Sequence, residues 1–158
     1  MIAEQIIKSL KLLPHPEGGY YKEMYRSEQK VNLDSGKSRN LSTSIYYLLE
    51  NEDKSRFHRI ESDELWFFHQ GNPLEIVSIQ NGMLIKTVLG NNFENGEVPQ
   101  AVIPARTWFA SRVKNNKGYA LVSCTVAPGF DFDDFELADR DELIKEFPDL
   151  IKYINALT

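Results

Sequence analysis

Apolar residues along this chain change their spacing twice. Near the N-terminus Ile6, Ile7, Leu10 and Leu13 recur every three to four residues, the spacing of one helical face. This predicts a short amphipathic helix over 3–13, ended by Pro14 and covering one flank of whatever follows. From residue 20 the period falls to two. YYKEMYR (20–26), STSIYYLLE (42–50), LEIVSIQ (74–80), MLIKTVL (83–89), AVIPARTWFASRV (101–113) and YALVSCTV (119–126) read as strands. Turn chemistry separates them: HPEGG at 15–19, a polar loop at 31–40, GNP at 71–73, KNNKG at 114–118, and Asn81-Gly82, a strong two-residue hairpin signal. The helical period returns in ADRDELIKEF (138–147), with Asp139 as N-cap, Glu142 three residues on, and Pro148 at its end. LIKYINAL (150–157) adds a further turn. Many short strands between terminal helices predict an all-β sandwich or barrel rather than a parallel α/β sheet.

Composition narrows the classes of function. The 158 residues fit one domain, 1–158, large enough for a real core, and 42% hydrophobic with 26% charged residues is ordinary globular composition. A net charge of −5 makes a nucleic-acid backbone a poor partner. Cys124 is the only cysteine, which leaves neither an intrachain disulfide nor a cysteine-rich zinc site. No apolar run has the length of a membrane helix, and the N-terminus lacks the pattern of a signal peptide, so a cytoplasmic location is expected. GxGxxG, P-loop and HExxH patterns are absent.

The candidate chemistry centres on HRIESDELWFFHQG, residues 58–71. Two apolar runs flank a polar ESD, which reads as a β-hairpin with Ser62 and Asp63 at the tip. Alternation puts His58 and Ile60 on one face of the first arm, and Glu64, Trp66 and Phe68 on one face of the second. Folding the arms together would bring the His58 imidazole and the Glu64 carboxylate to one wall. Such a pair can hold a metal, trade a proton or bind a polar ligand. His69 has the opposite phase to Glu64 and is expected at the surface. His15 lies in a turn of the kind that rims a binding site. Arg106, in an otherwise apolar stretch, is either a surface ion pair or a clamp for a carboxylate or phosphate. In DFDDFE (131–136) the acidic residues suit solvent, while Phe130, Phe132 and Phe135 pack inward or across a dimer.

These residues carry a family resemblance. In the first motif of the cupin superfamily a Gly leads H-x-H, followed by a Glu and a closing Gly. His58, Glu64 and Gly71 stand at the first His, the Glu and the closing Gly, while Ile60 stands at the second His and Glu52 at the leading Gly. The second motif resembles PARTWF (104–109), with Arg106 at its Gly and Phe109 at its His. Together with HPEGGYYKEMYRS and the tail SCTVAPGFDFDDFELADRDEL, residues 10 to 150 resemble cupin family five, once labelled a domain of unknown function. The resemblance implies a double-stranded β-helix, or jelly roll, usually dimeric, without a settled reaction. Trp66 and Phe68 share the phase of Glu64 and would face the same small-molecule cavity, with Tyr21, Trp108 and Arg106 as further candidate ligand-binding residues; the alternative is that these aromatics, with Tyr46 and Phe109, belong to the core. Metal-free isomerases and epimerases on this fold suggest His58 as base, Glu64 as its orienter, and Tyr46 or Tyr21 as acid on a sugar-like substrate. A non-catalytic binding module would use the same cavity. Two of the four usual ligands are missing, so no tightly bound metal or other cofactor is expected, and a weak, exchangeable divalent ion is the alternative. Apolar sheet faces and the aromatic tail predict a symmetric homodimer, which light scattering across micromolar concentrations checks: a monomeric mass contradicts it.

Overall fold

The computed structural model describes residues 2–158. Helix α1 (Ala3–Leu10) stops at Lys11, whose left-handed backbone caps the last turn, so the helix ends before Pro14 is reached. The chain then supplies β1 (Leu13–Pro14), β2 (Tyr20–Arg26), the small hairpin β3 (Lys30–Asn32) and β4 (Ser38–Asn40), β5 (Thr43–Glu50), β6 (Lys54–Arg59) and β7 (Asp63–Gly71). The hairpin β8 (Leu74–Gln80) and β9 (Met83–Leu89) follows, then β10 (Gln100–Ile103), β11 (Phe109–Val113), β12 (Tyr119–Ala127) and β13 (Glu136–Leu137). Helices α2 (Arg140–Glu146) and α3 (Ile151–Ala156) close the chain. Asn81 and Gly82 both have positive φ and join β8 to β9 by the tight turn the sequence predicts. Asp139 caps α2 by accepting from the Glu142 N–H at 3.0 Å, again as expected.

Two antiparallel sheets make the jelly roll, one in the order β1-β2-β5-β12-β7-β10, the other β13-β6-β11-β8-β9. Their facing sides bury Tyr47, Leu49, Trp66, Ile76, Phe109 and Val122 in one core. Both outer faces are partly covered by helix, which explains why several strands read as unbroken apolar runs. Leu48 and Leu121 turn outward onto Ala3 and Ile6 of α1. Phe57, Val77, Ile79 and Ala110 turn outward onto Leu143 of α2 and Ile154 of α3.

Three sequence expectations are corrected here. The stretch 58–71 is not a hairpin: β6 pairs with β11 and β13 in one sheet, and β7 with β12 and β10 in the other. Residues 60–62 are the corner where the chain changes sheets, a step that leaves the alternation of side chains intact. The run 101–113 is likewise two strands in different sheets, broken at Pro104. The polar loop at 31–40 contains the short β3–β4 pair.

The HPEGG turn passes unusually close to the sheets. Gly18 has φ +116°, and a Cβ there would overlap the Lys54 carbonyl oxygen; at Gly19, φ +72°, it would sit 2.6 Å from the Leu48 carbonyl oxygen. Only glycine combines that backbone conformation with that approach. The Tyr47 hydroxyl donates to the Gly18 carbonyl at 2.6 Å, and the Arg56 N–H donates to the Glu17 carbonyl at 3.1 Å. Gly18→Ala should therefore destabilise the protein by about 2 kcal/mol or more. Urea unfolding measures this, and a loss within about 0.5 kcal/mol, the range of a neutral surface change, would mean that the turn relaxes freely.

Candidate functional site

The sheets part at one end around a cavity of about 380 Å³. Strand β2 contributes Tyr21, Glu23 and Arg26, β5 contributes Thr43 and Ile45, and β12 contributes Cys124 and Val126. His58 enters from β6, Ile60 from the corner after it, and Glu64 from β7. Register explains the set. Thr43 pairs with Val126, and Val126 with Glu64, so one inward-facing row crosses the sheet and ends at the Glu64 carboxyl. Phe130, Asp131, Phe132 and Phe135 lie at the mouth, and His15 and Glu17 enter from the HPEGG turn.

His58 is paired with Glu17 rather than with Glu64. Its Nε2 lies 3.0 Å from a Glu17 carboxylate oxygen, and its Nδ1 lies 2.7 Å from the Arg56 carbonyl oxygen. A carbonyl can only accept, so Nδ1 carries a proton; an ionised Glu17 then calls for a proton on Nε2 as well. The pair is thus an imidazolium and a carboxylate, both side chains more than nine-tenths buried. Burial pushes the His58 pKa down, but the Glu17 charge and hydrogen bond outweigh it and leave a net rise. For Glu17 burial pushes upward, and the His58 charge and hydrogen bond leave a net fall. The His58 ring also lies 4.3 Å from Phe109 and is stacked 5.4 Å from Phe135.

Glu64 is the carboxyl left over. It is 8% exposed, and among the described residues it forms no ion pair. Burial is the largest cause that pushes its pKa up to about 7, with the Glu17 charge adding to it. The His58 charge and the neighbouring Cys124 and Trp66 oppose the rise. Cys124 faces inward, and burial raises its thiol pKa well above the ordinary value, so it is a neutral wall rather than a nucleophile. His15 Nδ1 accepts from the Glu17 N–H at 3.1 Å, which leaves its proton on Nε2. Burial is the main cause that lowers its pKa, which favours the neutral ring. Its ring meets Tyr21 edge-on at 4.6 Å.

Of the residues singled out in the sequence, His15, Tyr21, His58, Ile60, Glu64, Phe130, Phe132 and Phe135 come together in this cavity, whereas Tyr46, His69, Trp66, Phe68, Trp108 and Arg106 do not line it. Tyr46 has the opposite strand phase to Ile45 and Tyr47; it packs on the outer face near α1 and His69. His69 is exposed, hydrogen-bonded to Ser123, as its phase predicts. Trp66 faces inward but is part of the closed core, edge-on to Tyr47 and Phe109. Phe68 shares that face, yet four residues of strand carry it about 13 Å from Glu64. Trp108 lies on the outer face of the second sheet beneath the C-terminal helices, with the Arg59 guanidinium 4.2 Å over its ring. Arg106 has φ 57° at a tight turn beyond Pro104, and its exposed guanidinium sits 3.7 Å from Glu61, so it clamps nothing in the cavity. Glu17, the cavity residue paired with His58, is the one ionisable partner that the sequence reading missed. Its only local signal is a carboxylate inside a Pro-x-Gly-Gly turn, and that turn's direction is fixed by distant strands.

The metal chemistry common on this architecture does not fit these side chains. Both His58 nitrogens are occupied, and Ile60 and Phe109 stand where further imidazoles would be needed. Among the described residues no three His, Cys, Asp or Glu side chains converge as a metal site requires. Also among them, no helix is long and apolar enough to cross a membrane.

Comparison with known proteins agrees with this architecture. The uncharacterised protein YML079W of Saccharomyces cerevisiae is 35% identical over 155 residues, 89% of this chain and 77% of the yeast protein. A hypothetical protein from Leishmania major has a solved structure that superposes with a TM-score of 0.94 at 37% identity, over 100% of this chain and 99% of that one. Protein SO0799 from Shewanella oneidensis superposes with a TM-score of 0.91 at 40% identity, over 100% and 98% of the two chains. The family described as Cupin superfamily (DUF985), Cupin_5, matches residues 4–138, and with most of the chain inside that match this protein belongs to the cupin superfamily, in family five.

Proposed function

We propose that this protein binds a small polar metabolite in the jelly-roll cavity and acts on it by proton transfer, as an isomerase or epimerase does, with Glu64 carrying the proton. The observation that supports this is a lone carboxyl, buried in a cavity wall, with a pKa of about 7. A group whose pKa lies near the working pH is present in both protonation states, so it can accept a proton in one half of a reaction and return it in the other. Ionised Glu64 would take a proton from a carbon beside a carbonyl. The charge that develops on the carbonyl oxygen would be met by neutral donors of the wall, the Tyr21 hydroxyl and His15 Nε2–H.

His58 is a poor first base, because it already holds two protons and must give one to Glu17 before it can accept another. The Glu17–His58 pair serves instead as a fixed dipole that orients the ligand and tunes Glu64. This reading needs no metal and gives Tyr46 no role.

Two experiments test it. The first screens aldoses, ketoses and hydroxy acids by thermal shift, then follows exchange of carbon-bound hydrogen in D2O by NMR, with excess chelator present. At least one stabilising compound should exchange, and Glu64→Gln should slow that exchange roughly 100-fold or more while the fold persists. Compounds that bind without exchange identify a binding module instead, and exchange abolished by chelator identifies a metal enzyme.

The second reads Glu64 through stability. Its pKa is about 7 folded and 4.5 as an ordinary carboxyl, so between those values the folded state binds more protons. Stability is then lost as pH rises through that window, by about 3 kcal/mol for this group. Glutamine does not titrate. The melting temperature of Glu64→Gln minus that of the wild type should therefore increase from about pH 5 to pH 8. A difference that stays flat across this range would mean that Glu64 titrates normally.

A further inference from the structure

The charges around the cavity are unevenly satisfied. Among the described residues Arg26 is the one arginine in the wall, and its charge is already spent. Its Nε and Nη2 donate to a single Glu23 oxygen at 3.1 and 2.6 Å. Its Nη1 donates to Asn40 at 2.9 Å and to the Phe130 carbonyl at 3.0 Å. Among the described residues no lysine lines the cavity, His58 is neutralised by Glu17, and His15 is held neutral. On the acidic side Glu64 faces the cavity without a cation, and Asp131 stands at the mouth, where its carboxylate accepts the Asp133 N–H at 2.9 Å. An anionic ligand entering here would meet carboxylates and no free positive charge.

The rings complete the picture. Phe130, Phe132 and Phe135 meet edge to face, with centroids 4.9 to 6.4 Å apart, and His15 lies 6.3 and 6.5 Å from Phe132 and Phe135. Ring faces carry negative quadrupole charge and attract a cation within about 6 Å of a centroid. Aromatic rings at the mouth and an unpaired carboxyl deeper in form a graded path for positive charge.

We infer that the ligand of this cavity is a small cation, an amine whose ammonium group meets Glu64 and whose carbon body rests against Phe130, Phe132 and Phe135. The inference rests on the cavity being the ligand site, as proposed above, but not on any reaction there. The same charges disfavour a carboxylate or phosphate ester as the ligand.

The test uses three probes with one skeleton: phenethylamine, 2-phenylethanol and phenylacetate, a cation, a neutral molecule and an anion. Binding to the full chain is measured by calorimetry and thermal shift at about pH 8, above the Glu64 value of about 7, where Glu64 is ionised and the amine still charged. The amine should bind roughly tenfold tighter than the alcohol, and phenylacetate should not bind. Glu64→Gln should erase the preference of amine over alcohol. Phe132→Leu, a half-exposed position where folding is not at risk, should weaken the amine several-fold more than the alcohol. Equal binding of amine and alcohol, tighter binding of phenylacetate, or no binding of the amine at millimolar concentration overturns the inference. Cation preference without hydrogen exchange would leave the inference standing and remove the proton-transfer reading; exchange on neutral or anionic compounds alone would do the reverse.

Discussion

The cavity depends on one interaction, the buried ion pair between Glu17 and His58. Burying both charges costs several kcal/mol, and the arrangement holds only because each group is further hydrogen-bonded or close to a second partner. His58 donates to the Arg56 carbonyl. The Glu17 backbone is held by Arg56 and His15, and the next carbonyl along by Tyr47. The two glycines after Glu17 let the turn press against the carbonyls of Leu48 and Lys54, and no other residue type permits that approach. Strand β6, the turn and the inner face of β5 are therefore fixed together around a pair of opposite charges.

The chemistry of Glu64 follows from this pairing. Had His58 faced Glu64 directly, that carboxylate would be paired and its pKa low. Because Glu17 takes the imidazolium, Glu64 keeps the cost of burial and gains a second negative charge nearby. One carboxylate stabilises the site and the other stays available, a division of labour between two acids that is set by environment rather than by residue type.

The mouth is built with equal definition. The segment from Phe130 to Phe135 is tied at both ends. At one end the Phe130 N–H donates to Thr43 at 2.9 Å and its carbonyl accepts from Arg26. At the other, Arg39 makes two parallel hydrogen bonds to Asp134, each 2.8 Å. Arg39 rises from the small β3–β4 hairpin, so a sequence segment that reads as plain polar loop carries the anchor for the aromatic rim. The Asp134 carboxyl is held below the usual range, with the Arg39 hydrogen bond the largest cause. Planar guanidinium–carboxylate pairing fixes orientation as well as distance, so the segment that carries the three rings is held in one pose.

Much of this was determined by the sequence alone. The period-two runs, the Asn81-Gly82 turn, the capped C-terminal helix and the inward phase of His58, Ile60 and Glu64 are local properties, written in neighbouring residues and read correctly from them. The motif positions also identified the family and left Ile60 and Phe109 where imidazoles might have been. What the sequence left open is what local rules do not carry. Alternation gives the face of a strand but not its sheet, so 58–71 read as a hairpin although its arms lie in opposite sheets. It does not say which end of a barrel is open, so Trp66 and Phe68 shared the face of Glu64 without reaching the cavity. A face is inward or outward only once a second layer exists, which placed Tyr46 and Trp108 outside. Glu17 became the partner of His58 only when a turn was folded between two strands about thirty to forty residues further along the chain. The residue types were visible from the start; their partners were decided by closure of the barrel.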